Sequence, residues 1–449
     1  STPGVTTTTQ VFTVTLNFSG GAPDWIRLIL RGTASGTLSG GAVKVQAYAS
    51  TGWSSDPYAV TWSSGPAVSV PYSANLNGAT DGVSYAHATP AVGSMGTTQA
   101  LSLVYNSAAA RPVALVFLDA TGPTSPPPTT YQLQVQLASS GAYLTLMNGA
   151  TSVYYTATPG VVDRLTAAID AKANGLATGS YPVNLVLTTL YSGNTQTTVV
   201  ASRILVNDQT ASPFGAGVGL AGVGRLYTMT GSDGRLLVHG TGALVYFDRT
   251  CPTCAFVSPA GESGTLIAFG TDSFRLTAVD GSFADLNAQG YLIRHNLLPT
   301  VRDLTFTWTS NLLTGITDAS GRGFTLTYSG GFLTQITDFA GRTTSTGIAS
   351  GLLRKVTDAD GGFDSLFYNA NNLLTQLNSR TGGVWNYGYN ALYQGDTVLA
   401  PSATDYTGAN VRPRTTVVTA AQVQWQSGIA GTSSGAPKGS IRPDTVYFA

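Results

Sequence analysis

Four groups of residues have the types and spacing of chemistry. Gly217-Val218-Gly219-Leu220-Ala221-Gly222 has the G-x-G-x-x-G spacing that lets a tight turn lay backbone N–H groups against a dinucleotide pyrophosphate. That use requires a helix directly afterwards and an acidic residue about 20 positions on. Arg225-Leu226-Tyr227 follows instead and reads as strand, so the segment is expected to be a glycine-rich crossover between domains. Cys251-Pro252-Thr253-Cys254 has the spacing of half a zinc site, but a structural site needs four ligands and His87, His239 and His295 are the only histidines. A local disulfide at a hairpin tip is the expectation, with free thiols as the alternative. Asp358-Ala359-Asp360-Gly361-Gly362 offers carboxylates to calcium yet lacks the spaced oxygens and closing Glu of a calcium loop. A turn role accounts for Asp358. For hydrolysis, Glu262 is the only glutamate, and with three scattered histidines it forms no acid/base pair or triad. Groups brought together from different domains stay open. The expectation is therefore a protein that is not an enzyme and carries no cofactor and no metal.

The elements that position these residues follow from composition. The chain has 449 residues, of which 43% are hydrophobic and 10% charged, with 22 basic and 22 acidic side chains that cancel. A neutral chain has no electrostatic footprint for nucleic acid, and one with few charges has little self-repulsion, which favours association with copies of itself. Lys44, Lys172, Lys355 and Lys438 are the only lysines, so two strong surface helix formers, Glu and Lys, are nearly absent. Thr, Val, Tyr and Gly are abundant, and the fold class expected is all-β: tandem β-sandwich domains followed by an antiparallel repeat sheet. No stretch approaches the ~20 apolar residues of a membrane span, and Ser1-Thr2-Pro3-Gly4 has no leader pattern, so an exported chain would be in its mature form. The composition points to an extracellular or cell-surface protein, bacterial in origin.

Along the chain, Phe12, Val14, Leu16 and Phe18 alternate with polar partners, as in a half-buried strand over 6–18, and similar runs follow at 25–30, 43–48, 58–62 and 68–72. They define a first β-sandwich at 1–98. A fibronectin- or immunoglobulin-like sandwich is expected over 99–209, with strands at 113–118, 131–137, 142–146, 183–191 and 197–206. Residues 161–171 fit two periods: Val161, Leu165 and Ile169 make a helical stripe, while Leu165, Ala167 and Ile169 alternate. Strand is the preferred reading. A repeat sheet over 210–395 and a strand-rich extension over 396–449 complete the chain.

The repeat is explicit. Ile316-Thr317-Asp318, Ile336-Thr337-Asp338 and Val356-Thr357-Asp358 recur every 20 residues, and Leu377-Asn378-Ser379 follows at 21. Gly321, Gly341, Gly361 and Gly382 stand three residues after the Asp or Ser position. Leu313, Leu333, Leu353 and Leu374 precede the Ile, Val or Leu by three, and an aromatic returns as Trp308, Tyr328, Tyr368 and Tyr389, with Ile348 the exception. Asp at the first turn position accepts backbone hydrogen bonds and Gly takes the left-handed conformation, closing a hairpin. The Leu, Ile/Val and aromatic positions then face one side of a meander that stacks unit on unit.

This pattern resembles the YD repeat of the Rhs/YD-repeat family, whose animal relatives are the teneurins. Gly321-Arg322 and Gly341-Arg342 match its Gly-Arg pair, and Tyr328 and Tyr368 its tyrosine. Upstream, Asn207-Asp208-Gln209-Thr210-Ala211-Ser212-Pro213-Phe214-Gly215-Ala216-Gly217 is similar to the family's passage from a fibronectin-like plug into the repeat sheet, and Ser258-Pro259-Ala260-Gly261 is a further echo. Val218 stands where the family commonly has tryptophan. The resemblance implies a β-sheet that spirals into a hollow shell around a toxin, or one used in cell-surface recognition. With about four clear units, the strip is expected to be too short to close alone, and no self-cleaving core motif or toxin domain is recognised after 389. The leading expectation is a secreted structural protein that self-assembles into a fibre or matrix through strand contacts. A surface adhesin holding a glycan or protein is the second, and a piece of a toxin-enclosing shell the third.

Overall fold

The structure is a computed structural model. It describes residues 82–94, 97–229, 232–259, 262, 264–269, 273–296 and 303–404, with short strand pieces at 48–49, 52–53, 74–77, 410–411, 414–417 and 446–448. The strands expected over 6–18, 25–30, 58–62 and 68–72 lie outside these residues, as does the expected 43–48 apart from its last residue. The chain divides into Ser1–Thr61 and Trp62–Ala449. In the first unit, Tyr48–Ala49 pairs with Gly52–Trp53.

The second unit is all-β among the described residues, save one turn of helix at Ser107–Ala110 that Asn106 caps by accepting from Ala108 N at 2.9 Å. A sandwich is built from a four-stranded sheet, in the order Ser152–Thr156, Thr130–Leu137, Gly179–Tyr191 and Asn194–Val206, facing the pair Val113–Thr121 and Val162–Asp170. Tyr131, Leu133 and Val135 alternate into its core with Val183, Leu185, Leu165 and Ile169. Val162–Asp170 is thus strand, with alternation prevailing over the helical stripe. Residues 142–146 correct the sequence reading, because they form no strand. Tyr143 bridges to Gln136 of one sheet and Leu146 to Ile169 of the other, so the segment crosses between layers rather than along one.

A second four-stranded sheet runs Val218–Leu220, Ser102–Asn106, Gly82–Ala88 and Ala74–Asn77. Its strands come from both sides of residue 98 and from beyond residue 210, so it joins three of the segments that the sequence separates. Arg225–Thr228, Arg235–Val238 and Leu244–Phe247 form a small sheet of their own. From Thr265–Phe269 onward the chain folds into a sixteen-stranded antiparallel sheet in which every strand pairs with its neighbour in sequence through Gly395–Leu399, followed by Arg414–Val417 and Val446–Phe448. One face of this sheet is apolar and packs on the second four-stranded sheet, sharing a core of Val83, Tyr85, Leu103, Tyr105, Val218 and Leu220 with the repeat leucines and isoleucines.

Candidate functional site

The repeat turns come first. Asp318 Oδ1 accepts from Ser320 N at 2.8 Å and Arg322 N at 2.9 Å, and its carbonyl accepts from Gly321 N at 2.9 Å. Gly321 sits at φ +77°, where a Cβ would be strained although nothing else lies near it. Asp338 repeats the pattern with Ala340, Arg342 and Gly341. The Gly-Arg pair has a clear role: Arg342 Nε returns to Asp338 Oδ2 at 2.7 Å, and Arg322 does the same for Asp318. Burial pushes Asp338 up, but the hydrogen bonds from Arg342 and the turn amides outweigh it, so the carboxyl sits below its usual range. In the third unit Gly361 keeps its positive φ, while Gly362 stands where arginine would be. Arg380, from the following turn, occupies that space and binds Asp358 and Asp360, and a side chain at 362 would meet its guanidinium. The carboxylates of the calcium-like sequence are therefore consumed by an internal cation. In the fourth turn Ser379 replaces Asp, accepting from Gly383 N at 3.1 Å, and Gly382 takes φ +86°.

The arms of the repeat explain its aromatic. Tyr328 donates its hydroxyl to the carbonyl of Leu313 at 2.8 Å, Tyr368 to Leu353 at 2.9 Å and Tyr389 to Leu374 at 2.8 Å. Trp308 Nε1 donates to Leu292 O at 2.7 Å. Where Ile348 interrupts the series, Thr346 Oγ1 donates to Leu333 O at 2.5 Å, so the carbonyl keeps its donor. Pairing slips by one residue immediately before each of these positions: at Thr307/Trp308, Thr327/Tyr328, Gly347/Ile348, Phe367/Tyr368 and Gly388/Tyr389. These are β-bulges. Thr314, Thr334 and Thr375, each directly after a repeat leucine, donate to the carbonyls of Thr307, Thr327 and Phe367 at 3.2, 3.0 and 3.2 Å. Leu313, Ile316, Leu333, Ile336, Leu353, Val356, Leu374 and Leu377 are all buried, and Tyr328, Tyr368 and Tyr389 are half-buried at the edge of the same core.

The strand Gly82–Ala88 brings the most concentrated polar group to this core. His87 is fully buried, with Nε2 3.0 Å from Asp358 Oδ1 and Nδ1 3.0 Å from Asp364 Oδ2. Tyr85 donates to Asp364 Oδ2 at 2.7 Å, and Arg380 N donates to Asp364 Oδ1 at 2.8 Å. Burial alone would lower His87, but the hydrogen bond to Asp364 and the charge of Asp358 reverse this and raise it above the usual 6.5. Burial would raise Asp364, and the hydrogen bonds from His87 and Tyr85 bring it below the usual range instead. Tyr85 is held well above its normal range by burial first and by Asp364 second, so it remains a donor. In the neighbouring strand, Tyr105 donates to Asn372 O at 2.9 Å, accepts from Leu374 N at 3.1 Å and packs edge-on against Tyr368.

The glycine-rich segment closes the joint. Leu333 N donates to Pro213 O at 2.9 Å and Ala216 N to Gly351 O at 2.7 Å, so the passage into the repeat lies directly on the hairpins. A Cβ on Gly215 would come within 2.8 Å of Leu353 N. Val218 is buried in the inner sheet opposite Tyr105. This segment therefore serves packing rather than a pyrophosphate. Cys251 and Cys254 are joined by a disulfide with Cα atoms 5.1 Å apart.

An Asp-His-Asp group with a tyrosine has the components of acid/base chemistry. It lacks access, since His87 and Asp364 are both fully buried. A cleft of about 390 Å³ near Pro213, Arg225, Tyr291, Asn311, Leu312 and Phe332 lies elsewhere on the surface, with Arg225 stacked on Tyr227 and Tyr291 as its one charged side chain. Among the described residues no group of three or more His, Cys, Asp or Glu is placed to hold a metal ion. The sequence reading missed Tyr85, His87, Tyr105, Asp364 and Arg380. A signal for two of them exists: His87 continues the inward alternation of Val83 and Tyr85, and Asp364 occupies an inward position beside Leu366.

No family model and no curated protein matches the chain. Among solved structures, the crystal structure of TcdB2-TccC3 is similar at 8% identity with a TM-score of 0.25, over 76% of this chain and 21% of that one. TcdB2-TccC3 without its hypervariable C-terminal region gives 7% and 0.21, over 82% and 21%. The chain spans about a fifth of the length of these structures. Scores of this size lie below those of a shared fold, and the resemblance to YD repeats rests on the repeat residues themselves.

Proposed function

We propose that the chain is a non-enzymatic structural protein, a stretch of curved β-wall belonging to a secreted or cell-surface assembly. The observation that carries this reading is the bulge that recurs at the same place in five successive hairpins. A bulge bends its strand and increases local twist, and bulges repeated on one side of a meander add their bends in one sense. A regular bend repeated from hairpin to hairpin is what a curved wall requires. The buried polar groups support the same reading, because the repeat tyrosines and turn carboxylates spend their hydrogen bonds within the wall, while Tyr85, His87 and Tyr105 spend theirs on holding it to the inner sheet. On the resemblance to the Rhs/YD family, such a wall belongs to a shell around a cargo. A self-assembling fibre is a second reading, favoured by a strand edge that lacks the usual protection. Gel filtration and negative-stain microscopy of native material, captured from producing cells by antibody, separate the readings. Hollow particles are expected, regular fibres would transfer the assignment to the second reading, and compact monomers alone would overturn both.

A further inference from the structure

We infer that the outer edge of Asn194–Val206 is a pairing surface for a second copy of this chain; the inference rests on the reading of the protein as a structural, assembling one. This strand is the last in its four-stranded sheet, and among the described residues nothing pairs with its outer side. Its inner side pairs with Gly179–Tyr191 in unbroken register, from Gly179 opposite Val206 to Tyr191 opposite Asn194. Every residue from Asn194 to Ser202 is exposed, so neither face of the strand is covered over that length. Val199 is 57% and Val200 39% exposed.

Natural sheet edges are protected by lysine, proline, bulges or inward charges, because their free N–H and C=O groups otherwise recruit another strand. Thr195-Gln196-Thr197-Thr198-Val199-Val200-Ala201-Ser202 contains no charge, proline or glycine and has no bulge. High β-propensity without charge is the composition that adds strands. The nearest charge, Arg203, donates to Ser180 Oγ at 2.7 Å and stacks on Tyr246, so it does not guard the edge.

The strand's own sequence selects a second copy as its occupant. Antiparallel pairing about a two-fold axis at Val199 sets Thr198 against Val200, Thr197 against Ala201, Gln196 against Ser202 and Thr195 against Arg203. No like charges meet, and β-branched side chains face one another, which is favourable in cross-strand pairs. The formal charge of zero adds little repulsion between copies. Such a contact is isologous and closes at the dimer, joining two four-stranded sheets into one of eight.

Sedimentation equilibrium of the purified full chain across a concentration series tests this. A monomer–dimer equilibrium is expected. Val199→Lys, which places two ammonium groups opposite each other at the axis, should weaken it roughly tenfold or more, with an unchanged melting temperature at concentrations low enough that both proteins are monomeric. Val199→Cys should cross-link to its own copy under mild oxidation, while Val279→Cys, at a still more exposed position between two strands of the large sheet, should not. A chain that stays monomeric at every concentration overturns the inference. Association that survives Val199→Lys, together with a Val199→Cys variant that does not cross-link, also overturns it while leaving the wall reading standing.

Discussion

At the scale of single residues, the repeat turns and His87 make opposite demands on the backbone and on solvent. Gly321 and Gly341 stand at φ +77° and +80° with open space around them, so only backbone conformation requires glycine there. Gly321→Val or Gly341→Val should cost on the order of 1–3 kcal/mol, the range for local strain, and Ser320→Ala close to nothing. Equal melting temperatures for the three variants would refute the turn assignment. His87 sets a pH dependence whose sign follows from its raised value. The folded state holds its proton more tightly than the unfolded state, so its stabilisation is complete in acid and is lost as pH rises through and beyond the ordinary imidazole range. Asp364, lowered, contributes stability above the ordinary carboxylate range and loses it as pH falls. His239 and His295 are lowered by burial and also lose stability on acidification. Melting temperatures of the natural chain and of His87→Gln should therefore be furthest apart in mildly acidic solution and converge on the alkaline side. A gap that widens toward alkaline pH would contradict the clamp. The Cys251–Cys254 disulfide adds a chemical prediction: intact mass should be lower by two hydrogens, and alkylation should require reductant. Quantitative alkylation of native material without reductant would sink it.

At the scale of elements, the tyrosine of one strand satisfies the leucine carbonyl 15 residues before it, and this bond ties adjacent hairpins together. Tyr368→Phe keeps the ring and leaves Leu353 O without that donor, which should cost about 1–3 kcal/mol if no water replaces it. Ile348→Tyr, in a unit where Thr346 already donates to Leu333 O, should give no comparable gain. A Tyr368→Phe variant as stable as the natural chain would show the ladder to be incidental. The repeat hairpins were legible because their signals are local: Asp318, Gly321 and Tyr328 lie within one period of about 20 residues and recur. The bulges were hidden, since a one-residue slip leaves only a threonine such as Thr314 or Thr334 after the leucine as its trace. The joint was hidden for a different reason. His87 and Asp358 are 271 residues apart and Tyr85 and Asp364 279, and no periodicity in a single sequence pairs them. A boundary at residue 98 follows from strand and turn spacing that suits a sandwich of about 100 residues, yet Gly82–Ala88 and Ser102–Asn106 are neighbours in one sheet.

At the scale of the whole molecule, the sheet from Thr265–Phe269 to Val446–Phe448 grows by adding each strand to the last, a local mode of growth that carries on past the repeat hairpins at both ends. A sheet that serves as a wall is continued at its edges. A cryo-EM map of the native assembly tests that most directly, read at the strand Thr265–Phe269. A further antiparallel strand is expected, paired along that edge or along the opposite end of the sheet, with the bend of the hairpins carried on into it. Both edges ending in solvent in the mature assembly would contradict the wall.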